Sequence, residues 1–370
     1  MPTLVDLLDT TVHLGASDLH LTAGTPPRVR VDGQLRPLDL PPLTAAEVKP
    51  LACSLLTPAQ VQRFEEAGDL DCAFAHGASA RVRCNLFSQR GAAAAVYRII
   101  PDRIRTCAEL GLPPPVEAFA RRPHGLVLVT GPTGSGKSTT LAALVDLVNT
   151  ERCGHILTIE DPIEFVHAHK HCIVNQRELH ADTRGFGDAL RAALREDPDV
   201  VLIGELRDLE TIESALRIAE TGHLTFATLH TNSAIQTVTR IVDVFPAHQQ
   251  AQVRTQLSLV IEGVVCQALV PRIGGGRAAA LEILVPTAAV RNLIREDKLH
   301  QVYSAMQVGQ EKVGMQTANQ ALARLYASGQ ITLETALSAS ARRDELQDLL
   351  GRRTGGAGRM SGGDALLASH

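Results

Sequence analysis

The stretch 126–140, LVLVTGPTGSGKSTT, constrains the fold more than any other part of this 370-residue chain. Apolar residues and a threonine lead to Gly131, four residues follow, and Gly136, Lys137 and Ser138 come next. This spacing is the phosphate-loop pattern G-x-x-x-x-G-K-[ST], which forms between a buried strand and a helix. The apolar run before the loop predicts that strand, and apolar residues at helical spacing after it predict the helix.

The residue types of this loop suit a nucleoside triphosphate. Glycines let successive backbone N–H groups curve around phosphates, and the start of the following helix adds a partial positive charge. In this pattern Lys137 reaches the β and γ phosphates, and the hydroxyl of Ser138 binds Mg²⁺. The predicted nucleotide-binding residues are Gly131, Pro132, Thr133, Gly134, Ser135, Gly136, Lys137, Ser138 and Thr139.

Composition narrows the class of protein. The length favours about two or three domains, and 45% hydrophobic with 21% charged residues is typical of a globular protein. A formal net charge of −4 argues against a protein-wide nucleic-acid footprint. With 3% aromatic residues and no Trp, a stacking platform for single strands is also not expected.

The cysteines and the hydropathy of the chain indicate in which cellular compartment the protein acts. The seven cysteines include no C-x-x-C pair, which indicates reduced cytosolic thiols and excludes a tetracysteine zinc module. No apolar run approaches the roughly 18 residues that span a bilayer, and the amino terminus lacks the regions of a signal peptide. We therefore expect a cytoplasmic protein that reaches a membrane only through a partner.

The first part of the chain predicts a small α+β domain over 1–110. Its strand signals include a hairpin turn at 32–33 and, after a turn region at 91–95, a strand at 96–100. Residues 111–124 contain three consecutive prolines and predict a linker.

Beyond the linker, strand and helix signals alternate over 125–350, which predicts a parallel sheet wrapped by helices. Within that range, 247–270 and 286–350 are predicted to be mostly helical. The glycine-rich tail, 351–370, is predicted to be disordered. The predicted fold class is thus α/β, with an α+β domain in front and a helical carboxyl-terminal part.

Three carboxylates follow the predicted strand at 155–159: Glu160, Asp161 and Glu164. Ligands of open α/β sheets bind beyond the carboxyl ends of the strands. Glu164 is the candidate for polarising an attacking water, and Glu160 and Asp161 are candidate metal ligands or structural partners. A solvated acidic loop is the alternative interpretation.

A second apolar strand, predicted at 199–203, is followed by Gly204 and Glu205. Phosphate-loop enzymes carry a second acidic motif at this position, whose acid holds Mg²⁺ through its water shell. The motif usually ends in Asp, so Gly204-Glu205 departs from the usual form. Because the phosphate loop lies upstream, we predict that Glu205 acts with Ser138 at the metal.

His223 and His230 flank a strand predicted at 224–229. Their spacing fits neither helical nor short-loop zinc patterns. They are candidates for a phosphate sensor or for interface contacts, and ordinary core or surface histidines are the alternative.

Six arginines and one aspartate lie within 81–105. This cluster could be a nucleic-acid patch, or a set of donors aimed at the γ-phosphate from outside the nucleotide domain, as arginine fingers are. Arg81 and Arg83 share one face of a strand, which favours the focused contact. A plain solvated strand face is the third possibility.

Four motifs together resemble those of the secretion-superfamily ATPases. They are the Walker A loop, EDPIEF at 160–165, DPDVVLIGELRD at 197–208, and a histidine box at 222–233. The segment 289–296, AVRNLIRE, is similar to the carboxyl-terminal signature of the type IV pilus retraction ATPases, the PilT family.

This resemblance implies a homohexameric ring with a PAS-like amino-terminal domain and a RecA-like domain, which uses ATP and Mg²⁺. It implies pilus retraction for twitching motility, or DNA uptake, at the cytosolic face of the inner membrane. The implied partner is an inner-membrane pilus platform protein, with no direct nucleic acid contact. An accessory retraction ATPase, a nucleic-acid-stimulated motor and a non-hydrolysing scaffold are the alternatives.

The resemblance also implies roles for individual residues. Glu164 is the implied general base, and Glu205 the implied metal-linked acid. The remaining implied residues approach the γ-phosphate or an interface: His223, His230, Arg81, Arg83 and Arg98.

Overall fold

Six strands near the amino end form one antiparallel sheet. The structure, a computed structural model, describes residues 2–31, 33–77, 80–101, 103–309 and 313–357. The strands are β1 (Asp18–Leu21), β2 (Arg28–Val31), β3 (Gln34–Pro37), β4 (Asp69–His76), β5 (Ala80–Gln89) and β6 (Ala92–Pro101), in the order β3-β2-β1-β6-β5-β4. The helices in this part are α1 (Leu4–His13), α2 (Ala45–Cys53) and α3 (Pro58–Ala67). This arrangement is the predicted α+β unit.

The β5–β6 hairpin corrects one local prediction. It turns at Arg90 and Gly91, which have positive φ of 49° and 77°, as a tight hairpin turn requires. The alanines that follow lie in β6, so the predicted turn region 91–95 is too long. Ala93 and Ala95 are buried in the core of this sheet, which explains why small apolar residues stand there.

A seven-stranded, mostly parallel sheet organises the rest of the chain, in the order β13-β12-β7-β11-β10-β8-β9. Only its edge strand β13 runs antiparallel to its neighbour. The strands are β7 (Gly125–Thr130), β8 (His155–Glu160), β9 (Ile173–Glu178), β10 (Val200–Ile203), β11 (Leu224–Leu229), β12 (Ile261–Pro271) and β13 (Arg277–Leu284). Buried side chains cover both faces of this sheet, as parallel sheets require.

Helices cover the two faces of this sheet. They are α4 (Pro114–Ala120), α5 (Lys137–Glu151), α6 (Phe186–Ala193), α7 (Leu209–Glu220), α8 (Ala234–Asp243) and α9 (Ala247–Val260). Helix α4 lies within the predicted linker 111–124, and its Val116 and Phe119 are buried in the core of the second sheet. That stretch therefore packs with the sheet that follows it.

The prediction that 247–270 is mostly helical is wrong in its second half. Helix α9 ends at Val260 and β12 follows at once. β12 lies between β7 and β13, and seven of its eleven residues are buried. A strand buried on both faces is a continuous apolar run, and periodicity alone does not distinguish such a run from a buried helix. No element was predicted over 277–284, where β13 forms the edge of the sheet.

The last part of the chain is helical, as predicted for 286–350. It contains α10 (Ala288–Arg295), a 3₁₀ turn (Leu299–Gln301), α11 (Val302–Val308), α12 (Ala318–Ala327), α13 (Leu333–Ala339) and α14 (Arg343–Ala357). Helix α14 thus takes in 351–357 of the segment predicted to be disordered. Asp32 of the predicted hairpin turn and residues 358–370 of the predicted tail lie outside the described residues. Among the helices that the structure describes, none has both the length and the apolar character needed to cross a bilayer.

Candidate nucleotide site

The glycine-rich loop joins the buried centre of the parallel sheet to helix α5. All residues of β7 are buried, and α5 begins at Lys137 with Gly136 as its N-cap. Gly131, Gly134 and Gly136 have φ of 141°, 77° and 87°, values that other residues rarely adopt. The strand–loop–helix unit therefore forms as predicted, and it lies at the carboxyl edge of the sheet.

Gln267 of β12 supports this loop, a role that was not predicted from the sequence. Its amide nitrogen donates to the carbonyl oxygen of Ser135 (2.7 Å), and its amide oxygen accepts from the hydroxyl of Thr140 (2.8 Å). A Cβ on Gly131 would lie 2.2 Å from the carbonyl oxygen of Gln267, so this approach requires glycine. The contact exists because β12 pairs with β7, a relation that no local pattern encodes.

The ammonium group of Lys137 lies against the loop. It donates to the carbonyl oxygens of Gly131 (2.8 Å) and Pro132 (3.1 Å). Burial lowers the pKa of Lys137, and the negative charges of Glu205 and Glu164 oppose this shift. The two candidate catalytic carboxylates are thus near enough to influence the lysine.

Glu205 follows β10 and belongs to a charged cluster. Arg207 donates to Glu205 (2.9 Å) and lies 3.7 Å from a carboxylate oxygen of Asp161. The other oxygen of Glu205 is 3.4 Å from Nε2 of His230. The structure therefore brings together three predicted site residues, and it adds Arg207, which was not predicted.

Glu160, at the end of β8, is held by neighbouring side chains. It accepts hydrogen bonds from the hydroxyl of Thr158 (2.7 Å) and the amide of Gln176 (3.2 Å). Burial raises the pKa of Glu160 to about 7. These contacts fit the structural role, one of the two predicted for Glu160, better than the metal-binding role.

Arg83 of β5 connects the amino-terminal sheet to Glu164. Its Nη1 donates to a carboxylate oxygen of Glu164 (3.0 Å). Its Nε and Nη2 donate to the two oxygens of Asp71 on β4 (3.1 and 2.6 Å). The pKa of Arg83 is raised, chiefly by the hydrogen bond with Asp71. One guanidinium group thus bridges two carboxylates.

Arg81 makes a second contact between the same parts of the chain. Its Nε donates to the carbonyl oxygen of Ile163 (2.7 Å), and its Nη2 donates to Glu178 (3.1 Å). The same oxygen of Glu178 accepts from the backbone N–H of Ile163 (3.0 Å). Arg81 and Arg83 therefore both form hydrogen bonds with the loop that carries Glu164.

Arg98 has another partner. Its Nε donates to Asp18 on the neighbouring strand β1 (3.0 Å), so Arg98 makes a contact within its own sheet. Arg103, from the same arginine-rich segment, pairs with Glu109. Because carboxylates neutralise these arginines as well as Arg81 and Arg83, the structure disfavours a continuous nucleic-acid patch.

His223 lies at the opposite edge of the sheet from the loop. It precedes β11, whose Leu224 and Leu229 pair with Gly125 and Thr130 of β7. Its Nδ1 faces the carbonyl oxygen of Ile218 (3.0 Å). His230 follows the other end of β11, the end that lies beside the glycine-rich loop. His223 and Lys137 therefore do not share a site within one chain, because the six residues of β11 separate the two ends.

Within the described ranges, no group of three or more His, Cys, Asp or Glu side chains forms a ready metal site. The candidate ligands near the loop are the hydroxyl of Ser138, exposed on the first turn of α5, and the carboxylate of Glu205. An oxygen-only set with few protein ligands fits Mg²⁺, which usually keeps several waters and binds substrate phosphates.

Comparison with known proteins identifies the family to which the chain belongs. Residues 2–338 match the family of type II/IV secretion system proteins. The type IV pilus retraction ATPase PilT of Pseudomonas aeruginosa is 54% identical over 333 residues, 90% of this chain and 96% of that protein. A twitching motility protein of Neisseria gonorrhoeae is 49% identical over 311 residues, 84% of this chain and 83% of that protein.

A solved structure is similar along its whole length. The crystal structure of the pilus retraction motor PilT with bound ADP has 53% sequence identity and a TM-score of 0.86, over 94% of this chain and 100% of that one. A glycine-rich loop between a buried parallel strand and a helix defines the class of α/β nucleotide-binding proteins. Within that class, the chain belongs to the type II/IV secretion system protein family, in its PilT branch, which confirms the resemblance seen in the sequence motifs.

Proposed function

We propose that this protein is an ATP-hydrolysing motor that retracts type IV pili. The observation that carries the proposal is the contact of Arg83 with Glu164, because it links the amino-terminal sheet directly to the candidate general base. The relatives named as a pilus retraction ATPase and a twitching motility protein support the choice of pilus retraction and twitching motility.

In the proposed mechanism, Glu164 accepts a proton from the attacking water. Lys137 neutralises the β and γ phosphates, and its ammonium group leaves the loop carbonyls to do so. Arg81 and Arg83 exchange their carboxylate partners for the γ-phosphate, as arginine fingers do. Each cycle would then break and re-form the contacts between the amino-terminal sheet and the loop that carries Glu164. Hydrolysis would in this way move the amino-terminal sheet relative to the nucleotide-binding domain.

Ser138 and Glu205 would hold Mg²⁺, Glu205 through its water shell. When bound, the metal ion would supply neutralisation of the negative charge on the triphosphate. Arg207 and His230, which contact Glu205, would orient that carboxylate. Asp161 would act through Arg207, and Glu160 would support the start of its loop.

We further propose a homohexameric ring in the cytoplasm that contacts the inner membrane through a pilus platform protein. In this assembly 1–110 would be the PAS-like domain and 125–350 the RecA-like domain. The remaining loop residues, Thr133 and Thr139 among them, would contact phosphates. The ring also offers a role for His223 and Arg98 at a subunit interface.

Two measurements test the proposal. Purified full-length protein is expected to release phosphate from ATP in an Mg²⁺-dependent manner, without stimulation by DNA. Deletion of the gene is expected to leave cells with more pili than normal and without twitching motility. An inert protein would favour a scaffold, DNA-stimulated and salt-sensitive turnover would favour a nucleic-acid motor, and an unaltered deletion phenotype would favour an accessory ATPase.

A further inference from the structure

Two cysteines face each other inside the amino-terminal sheet. Cys72 of β4 and Cys84 of β5 are direct partners in the antiparallel register. Facing residues of antiparallel strands have Cα atoms about 4.5 or 5.5 Å apart, within the range of about 4.4–6.8 Å that disulfides span. The register of the two strands therefore permits a disulfide between Cys72 and Cys84.

Both side chains point into the core. Cys72 is 4% exposed and Cys84 is fully buried, and both lie in the apolar cluster of this sheet. β4 is the edge strand, and β5 is the strand that pairs with it, so local separation of β4 from the sheet would expose Cys72 to a small oxidant.

The two thiols are chemically unequal. A hydrogen bond from Cys84 is the main cause that lowers the pKa of Cys72, while that contact and burial raise the pKa of Cys84. The thiolate is the nucleophile, and Cys72, which lies on the edge strand and is 4% exposed whereas Cys84 is fully buried, is the sulfur that meets the oxidant first. The hydroxyl of Tyr97, opposite Cys84 on β6, donates to the carbonyl oxygen of Ala52 (3.0 Å), and its hydrogen bond with Cys84 opposes the rise in the pKa of Cys84.

We propose that Cys72 and Cys84 form an oxidisable dithiol site, which hydrogen peroxide converts to an intrachain disulfide. The Cys72 thiolate attacks peroxide, the O–O bond breaks, and a sulfenic acid forms with release of hydroxide, which a proton converts to water. The Cys84 sulfur then attacks the sulfenic sulfur, the S–S bond forms and water leaves. Two thiols and one peroxide thus give one disulfide and two waters.

The site lies directly behind the contact that joins the two sheets. Asp71 and Arg83, each one residue before a member of the dithiol, are paired on the opposite face of the same two strands. A disulfide would fix β4 and β5 together beneath that ion pair. The oxidised chain would therefore hold the strand that carries Arg83 more rigidly.

Peptide mapping tests the proposal on the full chain. The background carries Cys153→Ser, because Cys153 is exposed and would link chains to one another. After peroxide treatment the free thiols are alkylated in denaturant, and trypsin cuts after Arg81 and Arg83, which separates Cys72 from Cys84. We expect one cross-linked peptide pair that contains Cys72 and Cys84, with the loss of two alkylatable thiols, reversed by dithiothreitol.

Two variants sharpen the test. Cys84→Ala, which keeps a small apolar side chain at a buried position, should abolish the cross-link and leave Cys72 as a sulfenic or sulfinic acid. Cys107→Ala removes another buried thiol, whose pKa burial raises to about 11, and should leave the cross-link intact. The proposal is overturned if Cys72 and Cys84 stay as alkylatable as Cys107, or if Cys72 links to Cys53 instead. The mapping of the parent chain decides the matter even if Cys84→Ala does not fold.

Discussion

Arg83 of the amino-terminal sheet and Glu164 beside the glycine-rich loop are joined by a hydrogen bond of 3.0 Å between Nη1 and Oε1. The two residues stand 81 positions apart in the sequence, and both are partly exposed. A guanidinium group has five donors, and Arg83 also holds both oxygens of Asp71. This bond is therefore one that Arg83 can release without losing its position on the sheet.

Replacement of Arg83 distinguishes a donor to the transition state from a simple restraint on Glu164. Arg83→Ala is expected to lower ATP turnover by about 10³-fold, the lower end of the effect of an arginine finger, with nucleotide binding retained. Phosphate release and equilibrium binding of a fluorescent nucleotide measure the two quantities. Arg36→Ala, at an exposed position on β3 of the same sheet, should leave both unchanged. A rise in turnover for Arg83→Ala would instead identify Arg83 as an inhibitory contact.

Glu164→Gln tests the proposed general base. The amide keeps an acceptor for Arg83 but cannot take up a proton, so turnover should fall by about 10²–10⁴-fold while ATP still binds. Single-turnover phosphate release measures the loss. As a control, Glu65→Gln removes an exposed carboxylate that pairs with Lys49 and should not change turnover. Near-normal hydrolysis by Glu164→Gln would show that a group other than Glu164 is the general base.

The sequence predicted the loop because its information is local. Glycines at fixed spacing, an apolar run before them and helical spacing after them lie in one continuous stretch, and the structure contains that unit as β7, the loop and α5, over 125–151. The acidic motifs were found for the same reason, since each follows its own strand. The strand over 261–271 could not be predicted in this way, because a short apolar run that is buried on both faces has the same sequence pattern in a strand as in a helix.

Contacts between distant parts of the chain were beyond the reach of local patterns. Gln267 supports a loop more than a hundred residues upstream only because β12 pairs with β7. His223 shows the opposite case: it is close to His230 in sequence, yet the six residues of β11 between them span about 20 Å. Closeness in sequence therefore does not place His223 and His230 in one site, and a large separation in sequence hides the contact between Gln267 and the loop.

His167 should make stability depend on pH. Burial lowers the pKa of His167 to about 4, whereas an unfolded histidine has a pKa of about 6.5. Between these values the unfolded chain binds more protons, so the free energy of unfolding falls as pH decreases from 6.5 to 4. At pH 5 this loss is about 2 kcal/mol.

Urea unfolding at pH 7.5 and pH 5 measures the effect of His167. His167→Gln removes the titrating group, so the difference between the two pH values should shrink by about 2 kcal/mol. The exposed His248 provides the control, and His248→Gln should keep the difference found for the parent chain. An equal difference in the parent and in His167→Gln would contradict the burial of a neutral imidazole.

Gln267 offers a test of how the sheet supports the nucleotide loop, because a second buried glutamine provides a matched control. Gln267→Ala leaves the carbonyl oxygen of Ser135 and the hydroxyl of Thr140 without their partner, which should cost about 1–3 kcal/mol of stability. It should also raise the Kd for nucleotide about tenfold, equivalent to about 1.4 kcal/mol. Gln316, which is as buried as Gln267, donates to the carbonyl oxygen of Leu281 (2.6 Å), away from the loop. Gln316→Ala should therefore lower stability by a similar amount and leave the Kd unchanged; equal Kd values in both variants would show that Gln267 supports the sheet without shaping the loop.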